Sequence, residues 1–342
     1  MLAARLHKPN SPLDLDEVPV PEIGRNDVLV RVEASGICHS ELHTISGLFP
    51  PPRFPVTLGH EGAGIAEKAG DAVKDIQAGD RVALYYMATC GRCHYCLIGR
   101  EHLCDSVGYL GLDFDGTFAE YVSVPSGSIV KLPKKISFEH GAIAGCAVVT
   151  SFHATAIGGV KPGSTVAIYG IGGVGFHGVQ QAKLFGASKV IAIDIADEKL
   201  RLARHVGADE IVNSADEDPV KKIKELTGGE GVDVAFEYIG LRKTIEQSIH
   251  STRKGGVAVM VGMSGSNIEI RQLDFLSKEA QLRTAWGHTR EDLKRLLNLI
   301  EAGRVDLSKS VTHRFPLREV NQALDVLRKK TGNPVRIVLS RQ

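Results

Sequence analysis

Four cysteines crowded into one loop constrain this chain more than any other feature of it. The stretch CGRCHYCLIGREHLC sets Cys90, Cys93, Cys96 and Cys104 close enough for four thiolates to surround one metal ion tetrahedrally. Zinc suits such a closed sulfur shell because it is redox-inert and tolerates a tetrahedron, and a saturated shell leaves no position for a substrate. The expected role is structural. Two disulfides or an iron–sulfur cluster are the alternatives that spacing alone leaves open. His94 and His102 read as solvent-facing neighbours rather than ligands.

At 342 residues the chain is longer than one hydrophobic core usually serves, so two domains of roughly 100 to 200 residues each are expected. Lys plus Arg number 41 against 40 Asp plus Glu, a net charge of +1, and no basic stripe offers sustained phosphate neutralisation. Nucleic acid is not an expected partner. The opening MLAARLHKPNSPLDLDEVPVPE lacks the apolar core of a signal peptide and turns acidic too early for a transit peptide, so a cytoplasmic location is expected. Residues 141–160 carry almost no charge but are rich in Gly, Ala, Thr and Ser, and they read as buried domain-junction structure rather than a membrane span.

From Val28 to Ala34 the sequence VLVRVEA alternates apolar and polar side chains, and similar short runs recur to residue 132 between Gly, Pro and Asp. That part reads as mostly β. After Pro162 the pattern changes to a strand TVAIYG, a helical stretch through Lys183, a strand VIAID, a helix from about Glu198, and strands VDVAFEYIG and GVAVMVG, which together make a parallel βαβ sheet. Two helices follow Trp286, EDLKRLLNLIEAG with Gly303 suited to its stop and a second around VNQALDVLRKK, and then a last strand VRIVL. That tail could return to either domain.

With four cysteines assigned to the loop, Cys38 in GICHSELH and Cys146 remain, and together with His60 of LGHEGAG they would make a three-ligand Cys₂His site. An open fourth position is the arrangement of a catalytic zinc. TVAIYG runs into GIGGVG as a helix opens, and this context turns a weak glycine pattern into a candidate pyrophosphate turn formed by Gly170, Gly172, Gly173, Val174 and Gly175. Asp194 ends the next strand, where a carboxylate accepts from the adenosine ribose hydroxyls and repels a 2′-phosphate, favouring NAD over NADP. The alternative is that Asp194 only caps the following helix.

GICHSELH, LGHEGAG, the four-cysteine loop, GCAVVTSFHA and YGIGGVG, in that order, resemble the zinc-dependent medium-chain alcohol dehydrogenase family, in particular its short microbial members. The resemblance covers essentially the whole chain. It implies an α/β protein with a β-rich catalytic domain similar to the GroES fold over 1–147, a doubly wound Rossmann domain over 148–286, and a segment 287–342 returning to the catalytic domain. It further implies two zinc ions per subunit, NAD, a small alcohol or carbonyl substrate and a homotetramer. Cys38, His60 and Cys146 would bind catalytic zinc, with Glu61 as an adjacent or transient ligand. Ser40 would touch the alcohol and His43 would end a proton relay through the nicotinamide ribose. His39 and Arg336 fall where the family contacts phosphate, and Lys199 falls near the adenosine ribose.

Two positions depart from the family's pattern. Its usual acid after CHS or CHT is Asp, thought to orient the zinc-bound histidine, and here it is Glu41, one methylene longer. Pocket positions that are often Trp in short microbial members fall at Phe49 and Tyr85, with Met263 near the nicotinamide end, which points to bulkier substrates. Members acting on polyols or sugars would carry a carboxylate in place of Cys146. A non-enzymatic zinc-thiolate sensor is the rival from another class, and the relay-compatible pair Ser40 and His43 argues against it.

Overall fold

The alternation of VLVRVEA belongs to an eleven-residue strand, Asp27–Ile37, whose side chains alternate between buried and half-buried until its last four are all buried. In the computed structural model, which describes residues 1–341, this strand lies inside a seven-stranded sheet. It pairs antiparallel with Glu61–Ala69, with Tyr121–Pro125 and with Arg336–Ser340. Val28, Val30, Val82, Leu84, Val122 and Ile129 form one apolar core on this sheet. A second core gathers Leu6, Ile37, Leu58 and Phe118 against Leu324 of the Val320–Lys329 helix.

The chain divides into two units, Met1–Val149 with His288–Gln342, and Thr150–Gly287. The boundaries fall one or two residues later than the family resemblance implies. The tail joins the first unit: Ile337 and Val338 pair with Ile37 and Gly36, and the helix Arg290–Glu301 starts from a Thr289–Asp292 capping box, with Gly303 left-handed just past its end. The apolar stretch 141–160 is helical over Phe138–Gly158. By length and composition that helix could cross a membrane, yet most of its apolar window is buried inside the fold.

The second unit is a six-stranded, all-parallel sheet. In spatial order its strands are Glu210–Asn213, Lys189–Asp194, Thr165–Tyr169, Val232–Glu237, Thr252–Met260 and Gln281–Thr284. The strand order reverses beside Thr165–Tyr169, which is the switch point where ligands of such sheets bind, outside the carboxyl ends of the strands. Val166, Ala167 and Ile168 are fully buried, as a strand covered on both faces requires.

Register in the first unit has a chemical consequence. Gly36 lies between Glu61 on one neighbouring strand and Val338 on the other, and a Cβ at Gly36 would fall on the Glu61 carboxylate. The missing side chain lets Glu61 reach across the central strand to Arg336. Gly36→Ala is therefore expected to cost about 1–3 kcal/mol of stability through overpacking. Gly127→Ala, which meets nothing within 4 Å, is expected to stay within about 0.5 kcal/mol of the parent. Chemical denaturation of the two variants side by side checks this, and equal midpoints would contradict the crowding.

Candidate functional site: two cysteine clusters and a glycine turn

Cys38, His60, Glu61 and Cys146 bring one ligating atom each to within 4.8 Å of one another. Three local devices place them. Cys38 is the extended N-cap residue (φ −110°) of the helix His39–Ser46, just past the end of the Asp27–Ile37 strand. Glu61 opens the next strand of the sheet, and His60 directly precedes it. Cys146 sits in a π-helical turn, Ala144–Val148, between two α-helical segments, an irregularity common at functional sites. Gly145 allows that turn to press onto the strand Arg81–Leu84, since a Cβ there would lie 2.7 Å from the Leu84 carbonyl oxygen.

Glu41 settles how the longer acid is used. Its Oε1 lies 2.5 Å from His60 Nδ1, and its Oε2 accepts the Cys38 backbone N–H at 2.7 Å. One buried carboxylate thus caps the helix and takes the Nδ1 proton, leaving His60 Nε2 for the cluster. The Cys146 thiol donates toward Cys38 and, with His60, holds the Cys38 thiol well below its ordinary range, while the same contact raises Cys146. Burial opposes the His60 cation, but Glu41 and Cys38 outweigh it and raise that imidazole. Buried thiols and an imidazole sharing protons at van der Waals range form a donor set that a single soft-to-borderline cation satisfies.

Glu61 is fully buried and bound through both oxygens to Arg336 Nη2 at 2.5 Å. Burial pushes its carboxyl up to about 7 against the pull of Arg336. Burial also opposes the Arg336 cation, which Glu61, Cys38 and Cys146 nonetheless hold charged. Expected at a phosphate contact, Arg336 is only 4% exposed and commits Nη2 to Glu61, while its Nε is buried without a partner among the described residues.

His39, Ser40 and His43 share the helix that Cys38 caps. His39 is exposed, while Ser40 and His43 are half-buried. Partial desolvation, then the charge of His43, lower His39. Phe49 meets the His43 ring edge-on at 5.8 Å. Tyr85, expected as a pocket wall, is 1% exposed and donates its hydroxyl to the His288 carbonyl at 3.1 Å, and its neighbour Tyr86 is the ring at the cluster. Tyr86 lies 5.1 Å from the His60 ring, within the electrostatic reach of Cys146 and Cys38, and is held by Tyr109 and His288. Sequence reasoning missed it.

The second cluster is the cysteine loop, whose four sulfurs also lie within 4.8 Å of one another. All six cysteines are free thiols, and Cys90 and Cys96 Sγ are 4.0 Å apart, far beyond the roughly 2 Å of a disulfide and near the separation of about 3.8 Å that four 2.3 Å zinc–sulfur bonds impose. Sulfurs this close enclose one ion rather than a multi-iron cluster. Backbone N–H groups of Cys90, Cys93 and Ser106 point at the Cys104 and Cys90 sulfurs. Donors from Arg92 and Cys93 lower Cys90 to about 6, while burial pushes Cys96 up to about 12. His94 is exposed as expected, whereas His102 is 5% exposed and buried, a correction to its solvent-facing reading; neither joins the cluster.

In the second unit the glycine turn follows the Thr165–Tyr169 strand and opens the helix Gly175–Leu184. Gly170 needs its left-handed backbone (φ +88°), and a Cβ on Gly175 would strike the Gly170 carbonyl. The N–H groups of Gly173, Val174 and Gly175 reach no backbone carbonyl among the described residues, and the helix has no side-chain cap, so its positive end is open to a pyrophosphate. Asp194 is 9% exposed and accepts from Ile171 N (2.7 Å), Ile195 N (2.8 Å) and Ala196 N (3.1 Å). It therefore shapes the glycine turn and the two residues that lead into the next helix, whose N-cap is Ala196 and has no side-chain cap, and its lone pairs still leave room for a ribose hydroxyl. Lys199 is half-buried in the first turn of that helix, Asp197–His205, and Met263 is half-buried beyond the fifth strand.

Residues 24–134 match the alcohol dehydrogenase GroES-like domain, and residues 173–302 match the zinc-binding dehydrogenase family. An alcohol dehydrogenase of Geobacillus stearothermophilus is 38% identical over 341 residues, 99% of each chain. An NAD-dependent alcohol dehydrogenase of Sulfurisphaera tokodaii is 35% identical over 96% of each chain. The solved alcohol dehydrogenase of Aeropyrum pernix superposes with a TM-score of 0.91 at 35% identity, covering 99% of this chain and 100% of its own.

Glu41→Ala is expected to weaken metal binding at the Cys38 cluster about 10- to 100-fold and to leave the four-cysteine site loaded. Metal analysis during dialysis against a graded chelator reads this directly. Parallel loss from both sites would mean that Glu41 supports the fold rather than His60.

Proposed function

We propose, for a chain that belongs to the zinc-dependent medium-chain alcohol dehydrogenase family and catalyses NAD-dependent interconversion of alcohols and carbonyl compounds, that Cys38, His60 and Cys146 hold its catalytic zinc. Cys90, Cys93, Cys96 and Cys104 hold a second, structural zinc. The substrates are primary or secondary alcohols and the corresponding aldehydes or ketones. The observation that carries the reading is the first cluster: two cysteines and a histidine converge on one point, and the carboxylate beside them is held by Arg336.

When bound, zinc supplies the Lewis acidity that lowers an alcohol's pKa, and NAD supplies the hydride acceptor. The chain's own groups do the rest. Glu41 fixes the His60 tautomer so that Nε2 faces the cluster. Arg336 keeps Glu61 paired, leaving one position open to substrate oxygen. Ser40 takes the proton the alcohol loses. His43, one turn further along the same helix, passes it to solvent. The free N–H groups of Gly173, Val174 and Gly175 receive the pyrophosphate, with His39 as a further contact, while Asp194 and Lys199 receive the adenosine ribose. The Asp194 carboxylate disfavours NADP.

Tyr86 forms the aromatic wall beside the cluster, with Phe49 near the outer end of the relay. Met263 belongs to the nicotinamide end of the cofactor site. The enzyme works in the cytoplasm as a homotetramer. The exposed edge strand Gln281–Thr284 and the exposed Leu273 and Leu276 are surfaces that association would cover. Light scattering of the zinc-replete protein tests the assembly, with a monomer mass counting against it.

A graded panel of small, branched and aromatic alcohols with NAD and NADP, followed by nicotinamide absorbance, tests the reaction. NAD is expected to support turnover far better than NADP. Tyr86→Ala is expected to shift the kcat/KM ratio of bulky to small alcohols by about tenfold. Tyr85→Phe should leave the ratio alone and cost about 1 kcal/mol of stability through its lost hydroxyl bond. A ratio indifferent to Tyr86 would remove it from the pocket.

A further inference from the structure

Glu237 is the last residue of the strand Val232–Glu237, in the interior of the second sheet, and is fully buried. A carboxylate there is costly, and burial does raise it from its ordinary range. Among the described residues no cation pairs with it: every group that donates to it is uncharged. Oε1 accepts Ile239 N at 2.9 Å, Gly240 N at 2.9 Å and the Thr244 hydroxyl at 2.7 Å, and Oε2 accepts Gly240 N at 3.0 Å. The whole carboxylate is spent on folding the chain back over residues 238–240.

Two of those residues, Tyr238 and Ile239, pack onto the glycine turn. Ile239 fills the space beside Gly170, where a Cβ would lie 2.5 Å from its Cγ1. The Tyr238 ring covers the positions that Cβ atoms on Gly175 and Gly178 would take, at 3.2 and 3.0 Å. On its other side Gly240 (φ +87°) lies against the Met263 backbone, Ser264 donates its hydroxyl to the Gly240 carbonyl at 2.5 Å, and the Glu237 carbonyl accepts Val261 N and Gly262 N, both at 2.9 Å. The strand carrying Glu237 adjoins Thr165–Tyr169 on the side opposite Lys189–Asp194, directly at the switch point. Two of the turn's glycines, Gly170 and Gly175, and Gly178 of the helix they open are thus shaped from behind by a segment that one buried acid holds in place.

We infer that Glu237 is a positioning residue for the dinucleotide: through the Tyr238–Gly240 segment it sets the glycine turn and the 261–263 loop in the geometry that receives NAD. This rests on the reading that NAD binds at that turn. It acts on both oxidation states alike, because it works through backbone placement rather than through its charge on the nicotinamide.

The test is cofactor binding, with steady-state kinetics alongside. NADH is titrated into the zinc-replete enzyme by its fluorescence and NAD by calorimetry, for the parent, Glu237→Gln and Thr244→Val. Thr244→Val removes one hydroxyl donor from the carboxylate while keeping the side chain's shape, so it is informative even if Glu237→Gln fails to fold. The expected result is that Glu237→Gln raises both Kd values about tenfold and Thr244→Val about two- to threefold, with zinc content unchanged and KM for NAD moving more than kcat. Unchanged Kd values beside a lowered denaturation midpoint would overturn the inference and leave Glu237 merely structural. Opposite shifts for NAD and NADH would overturn it in favour of a direct charge effect. A parent enzyme that binds neither cofactor would instead sink the reading on which the inference rests.

Discussion

A buried ion pair organises the first unit. Glu61 and Arg336 are 275 residues apart in sequence and adjacent in space because the strands that carry them flank one central strand, and because that strand has a glycine where they meet. Such a pair contributes little net stability, yet removing one partner strands the other charge at a cost of about 3–5 kcal/mol. It is a registry device. It ties the last strand to the strand of Glu61, and it holds the carboxylate that lies next to Cys38, His60 and Cys146.

Around that pair Cys38, His60 and Cys146 are set by local irregularities rather than by regular structure. Cys38 is a helix cap, Cys146 belongs to a π turn, and His60 precedes a strand. Each device places a side chain where continuous helix or sheet would turn it away. Glu41 couples two of them, since one carboxylate both completes a helix start and orients an imidazole. The extra methylene relative to the family's usual Asp still allows both bonds.

The parts legible in the sequence are those where chemistry dictates residue type. Thiolate spacing exposed the four-cysteine loop, glycines at a strand–helix junction exposed the turn after Thr165–Tyr169, and period-two alternation exposed Asp27–Ile37. What stayed hidden has physical reasons. Tyr85 and Tyr86 fall between the strands Arg81–Leu84 and Met87–Ala88, where alternation lapses and nothing in the sequence says which ring faces inward. His102 is buried by a one-turn 3₁₀ helix, Glu101–Leu103, too short to show a period. The strands Glu210–Asn213 and Gln281–Thr284 are four residues each and mixed in polarity. The second duty of Asp194, holding Ile171, depends on a contact 23 residues away that no spacing rule encodes.

The two units also differ in when they can exist. Residues 150–287 are contiguous, so that sheet has all of its strands as soon as the stretch has been synthesised. The first unit is interrupted: until residues 336–340 are made, its central strand lacks a neighbour, Glu61 lacks its counter-charge, and the apolar edge beside Ala34–Ile37 stands uncovered. During synthesis the second unit can therefore close before the first, and the nascent chain carries an incomplete sheet with an open edge for the time it takes to add nearly two hundred residues. The order in which the two sheets can close follows from where residues 336–340 lie in the chain.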